Sequence, residues 1–372
     1  MSAPANKFKS DIPPQQTPTG DLLGDDIDVL DAFNKEPEPL DFILPSGFLA
    51  GTVGLAFGAG CGGKSYLNLE LGMAVAGGRD ADILQLEPQK TGKVLYIGRE
   101  DPPLVIRHRL HSMSKHLPAS VQSDIASNFR IKSSYGREFD VTKKPFRDAL
   151  MKACEGVRLC MIDTLSRSHS LEENSNEDMV RLLNIFEDIA QETGAAILPS
   201  HHVNKGSGRE GLTDQQSARG AVALTDNVRW GVSIVKMTKE QASKLCDPDD
   251  PGHAIDDARD RYVLMSLGTK PNYGPATAGR WLRREKGGVL VPVILDPWKK
   301  DEDGDDAPKI SRAGRKYRDK EQSGGLPQPL RGRANIMGDG ADEFDARFSD
   351  APPIDPISDP KDTREIDDDC PF

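Results

Sequence analysis

The chain reads as an α/β protein with a mostly parallel central sheet flanked by helices. Two observations predict this. From about residue 47 to 297, strand-like apolar runs alternate with helix-like stretches. Between the first such strand and the first such helix lies Gly58-Ala59-Gly60-Cys61-Gly62-Gly63-Lys64-Ser65, a complete G-x-x-x-x-G-K-[ST] loop. Thr52 to Phe57 supply the strand before it and Tyr66 to Ala76 the helix after it. The mechanics of phosphate binding need that order. Gly58, Gly60, Gly62 and Gly63 let backbone N–H groups close around phosphates, and the following helix N-terminus adds positive dipole. Lys64 would reach the β- and γ-phosphates of a nucleoside triphosphate, and the Ser65 hydroxyl would bind Mg²⁺.

The elements follow in order. Residues 1–25 are rich in Pro, Gln, Thr and Ser and read as a disordered arm. Residues 26–46 carry Val29, Leu30, Ala32 and Phe33, then Leu40, Phe42, Ile43 and Leu44. That much apolar surface predicts packing on this domain or on a neighbouring subunit. Strand-like runs then fall at 52–57, 93–98, 129–133, 157–163, 194–199, 221–235, 261–268 and 289–295. The clearest helix is 176–192. Ser175 or Asn176 can cap it, Glu177 and Asp178 suit its first turn, Met179, Leu182, Leu183, Phe186 and Ile189 make one stripe, and Gly194 ends it. The later strands have less helix between them, which predicts antiparallel additions at the sheet's edge. After Trp298 the composition turns to Asp, Gly, Pro and Arg, so 298–372 reads as a disordered tail and 47–297 as one domain.

Charge and cysteines exclude some classes. The net charge of −11 is uneven: residues 301–372 hold 19 acids and 11 bases, net −8, which leaves −3 for residues 1–300. Local basic loops can therefore dominate, and nucleic acid is not excluded. Five cysteines without C-x-x-C spacing argue against a disulfide framework or zinc site and fit a reducing cytoplasm. No stretch approaches the roughly 20 apolar residues of a membrane span, and the N-terminus lacks a secretory core.

Several further residues stand where chemistry would occur. Asp163 ends the apolar run Val157 to Ile162, so it either orients Mg²⁺ at the C-terminal edge of the sheet or caps a turn. Glu100 follows the strand Val94 to Gly98 on the same edge and suits activation of a water. Asp101 competes for that role or caps the helix opened by Pro102 and Pro103, and Glu100 is favoured. His201 and His202 follow the strand Ala195 to Pro199; one would sense the γ-phosphate while the other packs. The stretch Asn204 to Arg219 is glycine-rich and basic, and longer than ordinary loops. Lys205, Arg209 and Arg219 could grip a phosphate backbone there. Arg229 is either a solvated strand residue or an arginine finger for a neighbour.

Taken together, these residues resemble the RepA-type hexameric replicative helicases of broad-host-range plasmids, within the RecA-like motor superfamily. The likeness runs from about Leu30 to Pro297. It includes Pro39-Leu-Asp-Phe-Ile-Leu-Pro45, Ala50-Gly-Thr-Val-Gly54, Glu100-Asp-Pro-Pro103, His108-Arg-Leu-His111 and Asp163-Thr-Leu165. It continues through His201-His202, Asp214-Gln-Gln216, Ala218-Arg-Gly220, Asp226-Asn-Val-Arg-Trp230, Lys270-Pro-Asn-Tyr-Gly274 and Gly287-Gly-Val-Leu290. The resemblance implies a RecA-like P-loop NTPase core, a homohexameric ring, ATP and Mg²⁺ as cofactors, and translocation on single-stranded DNA with duplex unwinding. It assigns Lys64 and Ser65 to phosphate and metal, Asp163 to metal, and Glu100 to water activation. It gives Arg109 and His202 to phosphate or to the link with the DNA loop, and Arg229 to action in trans. The 26–46 segment would latch onto the adjacent protomer.

There are departures. Pro199 and Ser200 interrupt the strand before the histidines. Asn272 stands where relatives of the bacterial chromosomal type carry the arginine of Lys-x-Arg, which favours Arg229 as the finger. The 46 residues before the motor would be too few for a primase-binding domain, so a primase is expected to be recruited differently. The chain ends Glu365-Ile-Asp-Asp-Asp-Cys-Pro-Phe372, which resembles the Asp-Asp-Asp-Ile-Pro-Phe tip of bacterial single-stranded DNA-binding proteins, with Cys370 for the isoleucine. Phe372 and Pro371 could fill an apolar pocket while Asp367, Asp368 and Asp369 meet a basic rim, recruiting host replication or repair proteins.

Overall fold

Six of the apolar runs pair in parallel to make the centre of the protein. The computed structural model describes residues 26–202, 222–269, 272–274 and 277–298. The expected disordered tails, 1–25 and the part of the C-terminal segment beyond Trp298, lie outside those residues, as does the basic stretch after His202. In chain order the elements begin with α1 (Val29–Asn34), β1 (Phe42–Leu44), β2 (Phe48–Leu49), β3 (Gly54–Gly58) and α2 (Lys64–Gly77). Next come β4 (Val94–Gly98), α3 (Pro103–Met113), α4 (Ala119–Asn128), β5 (Phe129–Ser133), α5 (Lys144–Cys154) and β6 (Leu159–Asp163). Then follow α6 (Asn176–Thr193), β7 (Ala196–His202), α7 (Val222–Asn227), β8 (Trp230–Lys236), α8 (Lys239–Lys244) and β9 (Leu245–Cys246). The last are β10 (Tyr262–Leu267), β11 (Arg280–Arg284), β12 (Leu290–Pro292) and β13 (Asp296–Pro297).

The parallel part runs β5-β4-β6-β7-β3-β8. Beyond β8, β10, β11 and β12 add antiparallel, as the thinning of helix between the later runs predicts. Strand side chains alternate between two cores. Leu159 and Met161 face the layer containing α2 and α4, while Cys160 and Ile162 face α5 and α6. The long helix α6 is built as its sequence requires: Ser175 accepts the Asp178 N–H, Gly194 ends it in the left-handed region, and its apolar stripe is buried.

Three expectations change. The run 221–235 is not one strand: it is α7, packed on α6, followed by β8. A continuous apolar run has no alternation to separate helix from strand. Pro199 does not end its strand, which continues to His202. The ladder to β6 ends at the Ile162–Pro199 pair, while the ladder to β3, broken after the Val53–Ile197 bridge, resumes at the Ala56–Ser200 pair. A proline has no N–H to give, and the strand crosses it by passing from the β6 ladder before it to the β3 ladder after it. Finally β11, Arg-Trp-Leu-Arg-Arg, gives no apolar signal. It forms because it lies between β10 and β12 with Leu282 in the core.

Residues up to Leu40 and from Asp41 onward are separate units. In the first, Asp28 caps α1 by accepting the Asp31 N–H at 3.0 Å, and Ile27, Val29, Leu30 and Phe33 are exposed. The second begins with β1, whose Ile43 and Leu44 are buried. Arg158, next to β6, holds that start in place. It donates to both Asp41 carboxylate oxygens at 2.8 and 3.0 Å and to the Phe42 carbonyl at 2.7 Å. The Arg158 hydrogen bond, with help from Lys90 and against some burial, brings the Asp41 carboxyl down to about 2. A depressed carboxyl contributes stability that is present above the ordinary 3.8 and lost as pH falls toward the folded value. Its side chain is 41% exposed, so solvent screening limits the pair to about 1 kcal/mol. Asp41→Asn is expected to lower Tm by about 2–4 °C at pH 7. In urea melts its deficit should shrink as pH falls from about 4 toward 2, where the unfolded and then the folded wild-type carboxyl takes up its proton.

Candidate functional site

The phosphate loop sits at the C-terminal end of β3, between β7 and β8. Gly58 leaves the strand where a Cβ would stand 2.5 Å from the Ile234 carbonyl oxygen, so no side chain fits. The loop turns through a Gly62 N–H to Ala59 carbonyl bond of 3.1 Å, and Gly63 enters the helix with φ +105°, the left-handed region that favours glycine. Around Gly60 nothing lies within 4 Å of a Cβ position, so that side of the loop is open to a ligand. The helix starts at Lys64, two residues earlier than its apolar pattern suggests. Its first helical bond is Leu67 N–H to the Gly63 carbonyl, which leaves the N–H groups of Lys64, Ser65 and Tyr66 without a helical acceptor. Those donors and the helix dipole make an anion cradle.

Lys64 is buried. Its ammonium donates to the Gly58 carbonyl at 2.8 Å, the Ala59 carbonyl at 2.9 Å and His202 Nδ1 at 3.0 Å. Burial brings its pKa down to about 8, opposed by the nearby charges of Asp163 and Glu100. Because His202 Nδ1 accepts, its ring proton is on Nε2, which lies 3.3 Å from Glu100 Oε1. A hydrogen-bonded chain therefore runs from the phosphate-loop lysine through His202 to Glu100. The His202 hydrogen bond, helped by the charges of Arg167 and Lys64, keeps the Glu100 carboxyl below its ordinary value despite burial. Asp101 is drawn away from this chain: Arg109 holds it with two guanidinium bonds of 2.5 and 3.2 Å. The Arg109 guanidinium also lies over the Tyr66 ring, 5.0 Å from its centre. Its contacts are thus beside the loop helix, and it does not join the Lys64 chain.

Asp163 is brought beside the loop because β7 pairs with both β6 and β3, and it lies level with Gly98 of β4 on the other side. It is 4% exposed, and burial raises its pKa, against hydrogen bonds from Ser65 and Tyr96. The Tyr96 hydroxyl donates to Oδ2 at 2.8 Å. Among the described residues no cation pairs with this carboxylate within 4.0 Å. A buried carboxylate hydrogen-bonded to a serine hydroxyl has the donor set for Mg²⁺, which takes few protein ligands and completes its shell with water and phosphate oxygens. No group of three or more metal-ligating side chains occurs elsewhere among the described residues. His201 packs, as one of the two histidines is expected to, and burial lowers its pKa to about 4.

Three contributors carry no sequence signal of their own. Tyr96 reads as a core residue of β4. Arg99, next to Glu100, gives its guanidinium to the carbonyls of Ser134, Arg137 and Arg167. Arg284 of β11 donates to the loop carbonyls of Gly62 at 2.7 Å and Cys61 at 3.2 Å. Arg229 lies apart, exposed at the start of β8, where its carbonyl accepts from Asn272 at 3.0 Å. Lys205, Arg209, Arg219 and the tip residues Asp367, Asp368, Asp369, Pro371 and Phe372 lie outside the described residues.

With β7 inserted between the strand that carries the loop and the strand that ends in Asp163, the sheet has the order of a RecA-like P-loop ATPase. That is the class these residues define. The chain belongs to a family described as an AAA domain, AAA_25, whose model matches residues 21–208, half of its length. Among solved structures it is similar to the RadB recombinase, at 15% identity over 66% of this chain and 92% of that one, with a TM-score of 0.40. It is also similar to a second solved structure, described as an ATPase domain, at 13% identity over 68% and 93%, with a TM-score of 0.45. No helix among the described residues is long and apolar enough to cross a membrane.

Proposed function

We propose that this chain is the subunit of an ATP-driven, RepA-type ring, built as a homohexamer, that moves along single-stranded DNA and unwinds duplex for a plasmid, phage or mobile element. The observation that carries the reading is the Lys64–His202–Glu100 chain. His202 touches both the residue that would hold the γ-phosphate and the residue that would activate water. It also stands two residues before the basic stretch carrying Lys205, Arg209 and Arg219. One side chain thus stands between nucleotide chemistry and a candidate DNA grip.

In this reading the N–H groups of the loop and of Lys64 to Tyr66 bind the phosphates, and Lys64 exchanges its bonds to protein acceptors for phosphate oxygens. Ser65 and Asp163 hold Mg²⁺, which neutralises charge on the phosphates when bound. Glu100, already ionised, orients a water and takes its proton. His202 changes partner as the γ-phosphate comes and goes and passes that change to the residues after it. The exposed side chains of α1 latch onto a neighbouring subunit, and the acidic tip recruits host replication or repair proteins.

The test is ATP-dependent strand separation on a forked duplex. Wild type should unwind it. Glu100→Gln should bind ATP with ordinary affinity but lose about 10²–10⁴ in turnover and all unwinding. ATPase stimulated by DNA without strand separation would instead fit a recombination mediator or loader, and ATPase indifferent to DNA would fit a regulatory ATPase.

A further inference from the structure

Arg167 is 3.8 Å from Glu100 Oε1 through its Nε, the same oxygen that His202 approaches at 3.3 Å. Its place is built rather than incidental. Leu165–Arg167 form a short 3-10 turn just after Asp163. Arg99 fastens that turn from beneath, donating to the Arg167 carbonyl from Nε at 3.0 Å and Nη2 at 2.8 Å. Its Nη1 also reaches the Ser134 and Arg137 carbonyls, at 2.7 and 3.0 Å. The Arg99 N–H donates to the Asp163 carbonyl at 2.6 Å. The result is a reciprocal clasp. The residue before Glu100 grips the backbone of Arg167, and the side chain of Arg167 returns to Glu100.

The titratable and charged groups facing Glu100 are the His202 imidazole from β7, Lys64 from α2, Arg167 from this turn, and Asp163, a like charge, from β6. Of these groups, Lys64 is buried inside the loop and His202 is bonded to it. Arg167 has 57% of its side chain exposed and can leave without disturbing the phosphate cradle. A guanidinium also prefers phosphate, whose oxygens match its fork, over a single shared carboxylate oxygen.

We propose that Arg167 is a positioning residue that restrains Glu100, and that a phosphate-bearing polymer, single-stranded nucleic acid, lifts the restraint by taking the exposed guanidinium for itself. This rests on the reading of Glu100 as the group that activates water. With nothing bound, Oε1 accepts from His202 and also faces the Arg167 charge 3.8 Å away, which holds the carboxylate in place and makes it a poorer acceptor for a water proton. With Arg167 drawn to a phosphate, that oxygen keeps only His202.

The experiment measures kcat and KM for ATP in the full chain, without polymer and with saturating oligo(dT). Arg167→Gln is expected to raise the polymer-free kcat about two- to fivefold, the scale of an exposed ion pair, with KM unchanged. Its stimulation by oligo(dT) should fall by a similar factor. Arg167→Lys, which keeps the charge, should behave as wild type. An unchanged or lower polymer-free kcat in Arg167→Gln, equal behaviour of the Gln and Lys variants, or a wild type that oligo(dT) does not stimulate would each overturn the proposal. Glu100→Gln separates the two readings. If it still turns over ATP, the role of Glu100 fails. If it does not, while Arg167→Gln matches wild type, only the restraint fails.

Discussion

Lys64→Ala is expected to reduce ATP turnover by about 10³-fold or more while leaving the protein folded. The two halves of that expectation have different causes. The ammonium is the charged donor at the closed end of the loop, and no other cation among the described residues donates to the Gly58 and Ala59 carbonyls. For stability the effects oppose one another. Burial disfavours the charge, as the fall of its pKa to about 8 shows, so removing it relieves a cost. Removal also takes the ammonium donor from the buried Gly58 carbonyl and from His202 Nδ1, while the Ala59 carbonyl keeps the Gly62 N–H, at about 1–3 kcal/mol for an unsatisfied group. The sum is small against the stability of a domain this size. A thermal melt should therefore move by a few degrees at most, while a fluorescent ATP analogue should no longer bind. A large drop in Tm would mean that Lys64 holds the loop together and that the lost activity reports unfolding.

The same residue shows what the sequence makes legible. The loop, its strand and its helix are contiguous, so the adjacent residues Gly58 to Ser65 identify the phosphate cradle. Asp163 and Glu100 each end or follow an apolar run and can be placed on one sheet edge from local pattern alone. Their distance is a different matter, because it depends on β4 and β6 being neighbours with Gly98 level with Asp163. The bond from Lys64 to His202 depends on β7 lying against β3 with Gly58 level with His202, a pairing of residues far apart in the chain. Tyr96, Arg99, Arg167 and Arg284 are hidden for that reason: each is an ordinary residue for its own segment and gains its role from another. The helix α7 is hidden for a local reason, since Ala-Val-Ala-Leu is as apolar as a buried strand.

Arg229→Ala is expected to keep ATP affinity and lose about 10³–10⁵ in turnover, the effect of removing an arginine finger. The topology says how such a residue must act. β8 runs parallel to β3, with Trp230 level with Gly54 and Ile234 level with Gly58. The phosphate loop follows Gly58, whereas Arg229 precedes Trp230, so the two lie at opposite ends of adjacent strands. Four strand residues already span about 13 Å, beyond the reach of an arginine side chain to its own γ-phosphate. Action in trans makes a second expectation. Lys64→Ala and Arg229→Ala proteins should each be inactive alone, yet mixing them should restore part of the turnover. In a mixed ring, the intact Lys64 of an Arg229→Ala subunit can face the intact Arg229 of a Lys64→Ala neighbour. Wild-type turnover in Arg229→Ala would return the residue to an ordinary solvated strand position. Inactivity that mixing does not rescue would leave Arg229 important but not a finger, and would remove the main argument that this ATPase fires across subunit boundaries.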